Sequence, residues 1–142
     1  MSSAVRTVGG RVDPAPVTAL VALGDLACIG AFVVAGEISH NVDPAANPLY
    51  VAETATPFLV GWALVALLGG LYAADARRSA RRAVALTVPA WVGAALVAQA
   101  IRATPMFHGD AALTFFLVSV GVGLALLVPW RVAASRLFPV EQ

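Results

Sequence analysis

The chain has 142 residues, 60% of them hydrophobic and 12% charged, with nine basic residues against eight acidic ones and a formal net charge of +1. Soluble domains carry about 25% charged residues, so an ordinary soluble globular domain is excluded. A single cysteine, Cys28, excludes both a disulfide framework and a cysteine-based zinc site within one chain.

Arg6 and Arg11 precede the first long apolar stretch, Val17–Gly36. Its length and the acidic Asp25 inside it fit an uncleaved signal anchor better than a cleaved secretory signal. Three more stretches follow, Pro57–Ala74, Ala83–Ile101 and Ala111–Trp130. A hydrocarbon core roughly 30 Å thick is crossed by about 20 residues at 1.5 Å rise, and backbone amides there must be satisfied within the segment. Each stretch therefore reads as a spanning helix. The expected fold is all-α, a single four-helix integral membrane domain over residues 1–142, arranged as an up-and-down bundle.

Asp25 lies about eight residues into the first span, on the order of 12 Å from one edge of the hydrocarbon. A carboxyl at such depth costs about 2.5–3.5 kcal/mol on translocon scales, so it must face the bundle and find donors or stay protonated. The donors expected at similar depth are the indoles of Trp91 and Trp62 and the hydroxyls of Thr87 and Ser119. Two uses are open for this cluster: a packing and ordering role, or proton or cation handling.

The connection His40–Thr56 follows, with Asp43, Pro44, Asn47, Pro48 and Glu53. Asn47-Pro48 has the form of an N-cap and first helical position, predicting a short helix over Leu49–Glu53, with Pro57 starting or kinking the second span. Pro89 should kink the third span, and Pro129 should close the fourth beside Trp130 and Arg131, read as an interfacial anchor pair. Small residues recur four apart at Ala27, Ala31 and Ala35, at Ala66 and Gly70, and at Ala90, Ala94 and Ala98. Such stripes close a bundle or form an oligomer face.

All nine basic residues are arginines, and they alternate by side. Arg6, Arg11, Arg77, Arg78, Arg81, Arg82, Arg131 and Arg136 fall on one side of the four spans, and Arg102 alone on the other. Positive charge is retained in the cytoplasm, so both termini and the Arg77–Arg82 connection are expected inside a cell membrane. That connection should meet anionic headgroups, at about 1 kcal/mol per charge, rather than nucleic acid.

A second polar group gathers at the opposite ends of the spans: Glu37, His40, Glu53, Gln99, Arg102, His108 and Asp110. Glu37 and His40, three apart, share a helix face. Hydrated interface residues, a divalent metal site and an anion contact at Arg102 are the readings open to it, with Arg102 also able to pair with Glu37 or Glu53. No Gly-rich phosphate loop, nucleophile pair, catalytic residue or cofactor site is assigned.

Several of these motifs together resemble domain-of-unknown-function family 3054, a group of uncharacterised prokaryotic membrane proteins. They are Asp25, the Gly36-Glu37-Ile38-Ser39-His40 exit, Thr56-Pro57-Phe58-Leu59-Val60-Gly61-Trp62, the double arginines before the third span, Arg102 and Trp130-Arg131. The resemblance runs roughly from Thr18 to Arg131 and implies one four-helix unit and no particular activity. The expected role is a non-enzymatic scaffold or accessory subunit that associates with itself or a larger membrane complex. The rivals are a small proton- or cation-coupled transport protein using Asp25, and a membrane-embedded metal enzyme at the Glu37 and His40 end.

Overall fold

The computed structural model describes residues 11–107 and 112–140. Among these, four long helices carry the chain: α1 (Pro16–Ser39), α2 (Pro48–Leu68), α3 (Ala80–Arg102) and α4 (Leu113–Leu137). A 3-10 turn over Ala74–Arg77 joins α2 to α3. With 21 to 25 residues each, they reach roughly 32–38 Å, and all four are apolar enough to cross a bilayer. Each packs on its successor, and α1 closes the ring against α4. This is the up-and-down arrangement the short connections favour.

The helix ends are set by local chemistry. α1 stops in a Schellman turn, with Val42 N–H donating to Glu37 C=O at 2.9 Å and Asn41 N–H to Ile38 C=O at 3.0 Å. Asn41 takes the required left-handed backbone at φ 62°. α2 ends in the same way on Gly70 at φ 72°, with Leu71 N–H donating to Ala66 C=O at 2.9 Å. Leu71 then turns inward and is buried. Ser79 caps α3 by accepting the Arg82 N–H at 3.0 Å.

Two boundaries differ from expectation. The short helix over Leu49–Glu53 and the second span are one continuous helix that starts at Pro48, passes through Pro57 and ends at Leu68, short of Ala74. Pro57 removes only one donor, and its ring is fully buried in the bundle. Asn47 does occupy the N-cap, but its amide donates to Asp43 C=O at 3.0 Å instead of capping. Likewise Pro129 lies inside α4 and does not close it. The helix continues because Arg131, Ala134 and Ser135, beyond the proline, are buried.

The core is aromatic. Phe32 of α1, Phe58 and Trp62 of α2 and Trp91 of α3 form one cluster. Phe58 stacks on Trp91 at 5.8 Å, and Phe32 meets both rings edge-on at 5.0 and 5.9 Å, geometries the ring quadrupoles favour. Ala90, Ala94 and Ala98 are buried against it. At Gly61 a β-carbon would lie 2.5 Å from the Ala94 carbonyl oxygen, so α2 and α3 touch backbone to backbone. The α1 stripe does the opposite, since Ala27, Ala31 and Ala35 all face outward.

Candidate functional site

The deepest polar group in the bundle is built around Asp25, which α1 places inward with no exposed surface. Its carboxylate faces Arg131 of α4, only 2% exposed, in a bidentate pair: Nε donates to Oδ1 at 2.8 Å and Nη2 to Oδ2 at 2.6 Å. The Tyr72 hydroxyl donates to Oδ2 at 2.7 Å and accepts the Trp62 indole N–H at 2.9 Å. Arg131 spends a third N–H on the Leu71 carbonyl at 2.7 Å, one of the backbone acceptors freed where α2 ends. The guanidinium carbon also lies 5.1 Å from the Tyr72 ring centre and 5.8 Å from that of Trp62.

The charge on each side is therefore answered by the other, and the Tyr72 hydroxyl adds a third donor to the carboxylate. Such charge-assisted, fork-shaped pairs are the strongest hydrogen bonds available to a protein. Burial and the adjacent carboxylate push the Tyr72 phenol above its ordinary value, so it keeps its proton and acts as a donor. The pair links α1, α2, α4 and the α2–α3 connection at one point. The segment before α1 joins the same structure, with Asp13 N–H donating to Tyr72 C=O at 2.8 Å.

The donors expected for Asp25 are thus only partly those found. Trp62 reaches it through Tyr72. Trp91 donates to the Ser119 carbonyl at 2.9 Å, and the Ser119 hydroxyl turns back on Phe115 C=O at 2.6 Å. Thr87 is fully buried, and its hydroxyl has no hydrogen-bond partner. Arg131 and Tyr72 carry the site instead. Arg131, taken with Trp130 for an interfacial anchor, turns inward. Trp130 lies over Gly24, where a β-carbon would fall 2.0 Å from its ring, and its indole points to Val21 C=O at 3.3 Å. An intramembrane acid and an arginine at comparable distances from one membrane edge were the available signal, hidden by reading Pro129 as a terminator.

At the same end the arginine-rich connection is partly neutralised. Arg77 pairs with Asp13 at 3.0 Å, and Arg78 and Arg82 share Asp75 at 2.5 and 2.8 Å. Arg11 donates to the Leu68 carbonyl.

The other end holds the second polar group. Glu37, Thr54 and Arg102 are buried to within 7–8% exposure, and the Arg102 guanidinium lies 4.1 Å above the Phe115 ring. Glu37 and His40 line one cavity of about 90 Å³, together with Phe32, Ser39, Thr54 and Phe115. Glu53 is half-buried, and Gln99 donates to Ala112 C=O at 3.1 Å. His108 and Asp110 lie outside the described residues. Among the described residues no group of three or more His, Cys, Asp or Glu is placed to hold a metal ion.

Searches of the curated proteins and of the solved structures found no match. A family model described as "Protein of unknown function (DUF3054)" matches residues 22–134, taking in Asp25, Tyr72, Arg131 and most of all four helices. The chain belongs to the DUF3054 family, a family of unknown function.

Proposed function

We propose that this protein is a non-enzymatic scaffold or accessory subunit of the cell membrane, with both termini and the arginine-rich connection in the cytoplasm. The observation that carries the reading is the Asp25–Arg131 pair, 0% and 2% exposed, with the Tyr72 hydroxyl donating to the carboxylate and the Leu71 carbonyl accepting from the guanidinium. An ion-translocating carboxyl must exchange its partner for water or a cation, whereas this one is used to lock helices together. The outward Ala27, Ala31 and Ala35 add a face on α1 against which a second transmembrane helix packs closely.

Labelled copies reconstituted at low protein-to-lipid ratio should show resonance energy transfer, lost on Ala31→Phe. Proton or monovalent-cation flux above that of empty liposomes, unaffected by Ala31→Phe, would replace this reading with transport. Orientation follows the arginine asymmetry. In intact cells, with Cys28 replaced by alanine, a membrane-impermeant thiol reagent should label His40→Cys and spare Arg81→Cys. The reverse pattern would invert the topology.

A further inference from the structure

We propose that the cavity at the α1 C-terminal end is a binding site for a primary ammonium group, with Glu37 as its anionic anchor. The cavity, about 90 Å³, is lined by Glu37, His40, Ser39, Thr54, Phe32 and Phe115, with Gly36 in its wall. Glu37 is only 7% exposed, yet no described residue forms a hydrogen bond or ion pair with its side chain. Among the described residues the other buried acid, Asp25, is matched by Arg131 and Tyr72. A carboxylate left facing a cavity recovers its lost hydration from donors that enter the cavity, whether water or the N–H groups of a ligand that displaces it.

The shape of the site narrows the ligand. The space admits water or the end of a small organic cation. A divalent ion would need more ligands than one carboxylate and His40, and no metal-holding cluster occurs among the described residues. An alkylammonium matches better: its N–H groups meet Glu37 and the Thr54 hydroxyl, and its carbons meet the Phe32 ring, where a cation is also favoured. A trimethylammonium has no N–H to offer the carboxylate. Glu37 lies two residues from the end of α1, which the proposed topology puts at headgroup depth. The ammonium therefore comes either from an ethanolamine headgroup or from a small free amine.

Both sources can be separated on the full chain. Calorimetry of the purified protein in maltoside micelles, titrated with ethylammonium chloride, should give saturable binding that choline chloride does not reproduce. Glu37→Gln should weaken it at least tenfold. Gly36→Leu, at a position where a β-carbon meets nothing within 4 Å, should abolish it by filling the cavity while leaving the carboxylate in place. Native mass spectra from nanodiscs of equal phosphatidylethanolamine and phosphatidylcholine then assign the source. Retained phosphatidylethanolamine that ethylammonium displaces marks the lipid, and ethylammonium binding with no retained lipid marks a free amine. Absence of both, or binding unchanged in both variants, overturns the proposal.

Discussion

Replacing Asp25 by leucine is expected to destabilise the bundle more than replacing Arg131 by methionine, and the double replacement is expected to recover most of the loss. Breaking a buried ion pair by removing one partner costs about 3–5 kcal/mol, because the survivor is left charged without compensation. The asymmetry arises from proton chemistry. An orphaned Asp25 can take up a proton and keep its bond to Tyr72, whereas an orphaned arginine cannot shed its charge. The Leu71 carbonyl, which accepts from Arg131, also loses its donor in Arg131→Met, so that variant is not free of cost. In the double variant no charge remains, and apolar replacements of similar volume are often neutral for such pairs. Equilibrium unfolding in mixed micelles of increasing dodecyl sulfate fraction measures all four species. Additive losses in the double variant would show that Asp25 and Arg131 act independently, and the clasp would then have no energetic meaning.

Trp91→Ala should cost about 3–5 kcal/mol by the same measurement, the range for truncating a buried tryptophan to alanine. Trp91 is wholly buried and is touched from three helices: Phe32 on α1, Phe58 and Trp62 on α2, and Gly123 on α4. A β-carbon at Gly123 would lie 2.1 Å from the indole nitrogen, so the ring rests directly on the α4 backbone. The neighbouring Phe32 and Phe58 rings also hold each other edge-on at 5.0 Å, which limits their collapse into the space. Trp91→Phe separates packing from hydrogen bonding. It retains most of the ring and loses the N–H donated to Ser119 C=O, a net contribution of about 0.5–1.5 kcal/mol. Equal losses in the two variants would mean that the hydrogen bond, rather than the ring, holds α3 to α4.

The amine proposal and the clasp occupy opposite ends of the bundle and fail separately. Loss of ethylammonium binding in Glu37→Gln leaves Asp25, Tyr72 and Arg131 untouched, and a non-additive cycle at Asp25 and Arg131 says nothing of Glu37. Self-association through α1 is likewise read from a different face, that of Ala27, Ala31 and Ala35.

What the sequence determined by itself is the membrane class, the number of helices and the family. These follow from quantities that accumulate along the chain: runs of about 20 apolar residues are long enough to cross the hydrocarbon, and in lipid the backbone has no stable alternative to a helix. Singling out Asp25 also needed no structure, since a lone acid in such a run has a cost that something must meet. What meets it was decided only in three dimensions. Arg131 lies 106 residues away in the chain and Tyr72 lies 47 away, and nothing local marks either as its partner. Prolines misled for the related reason that a missing N–H is a local cost, which burial on the far side of Pro57 and Pro129 outweighs. The alanine stripes show the same limit, because equal spacing on α1 and α3 says which residues share a face and leaves open which way it turns. Only packing settled that, sending Ala94 against the backbone at Gly61 and Ala31 out toward the lipid.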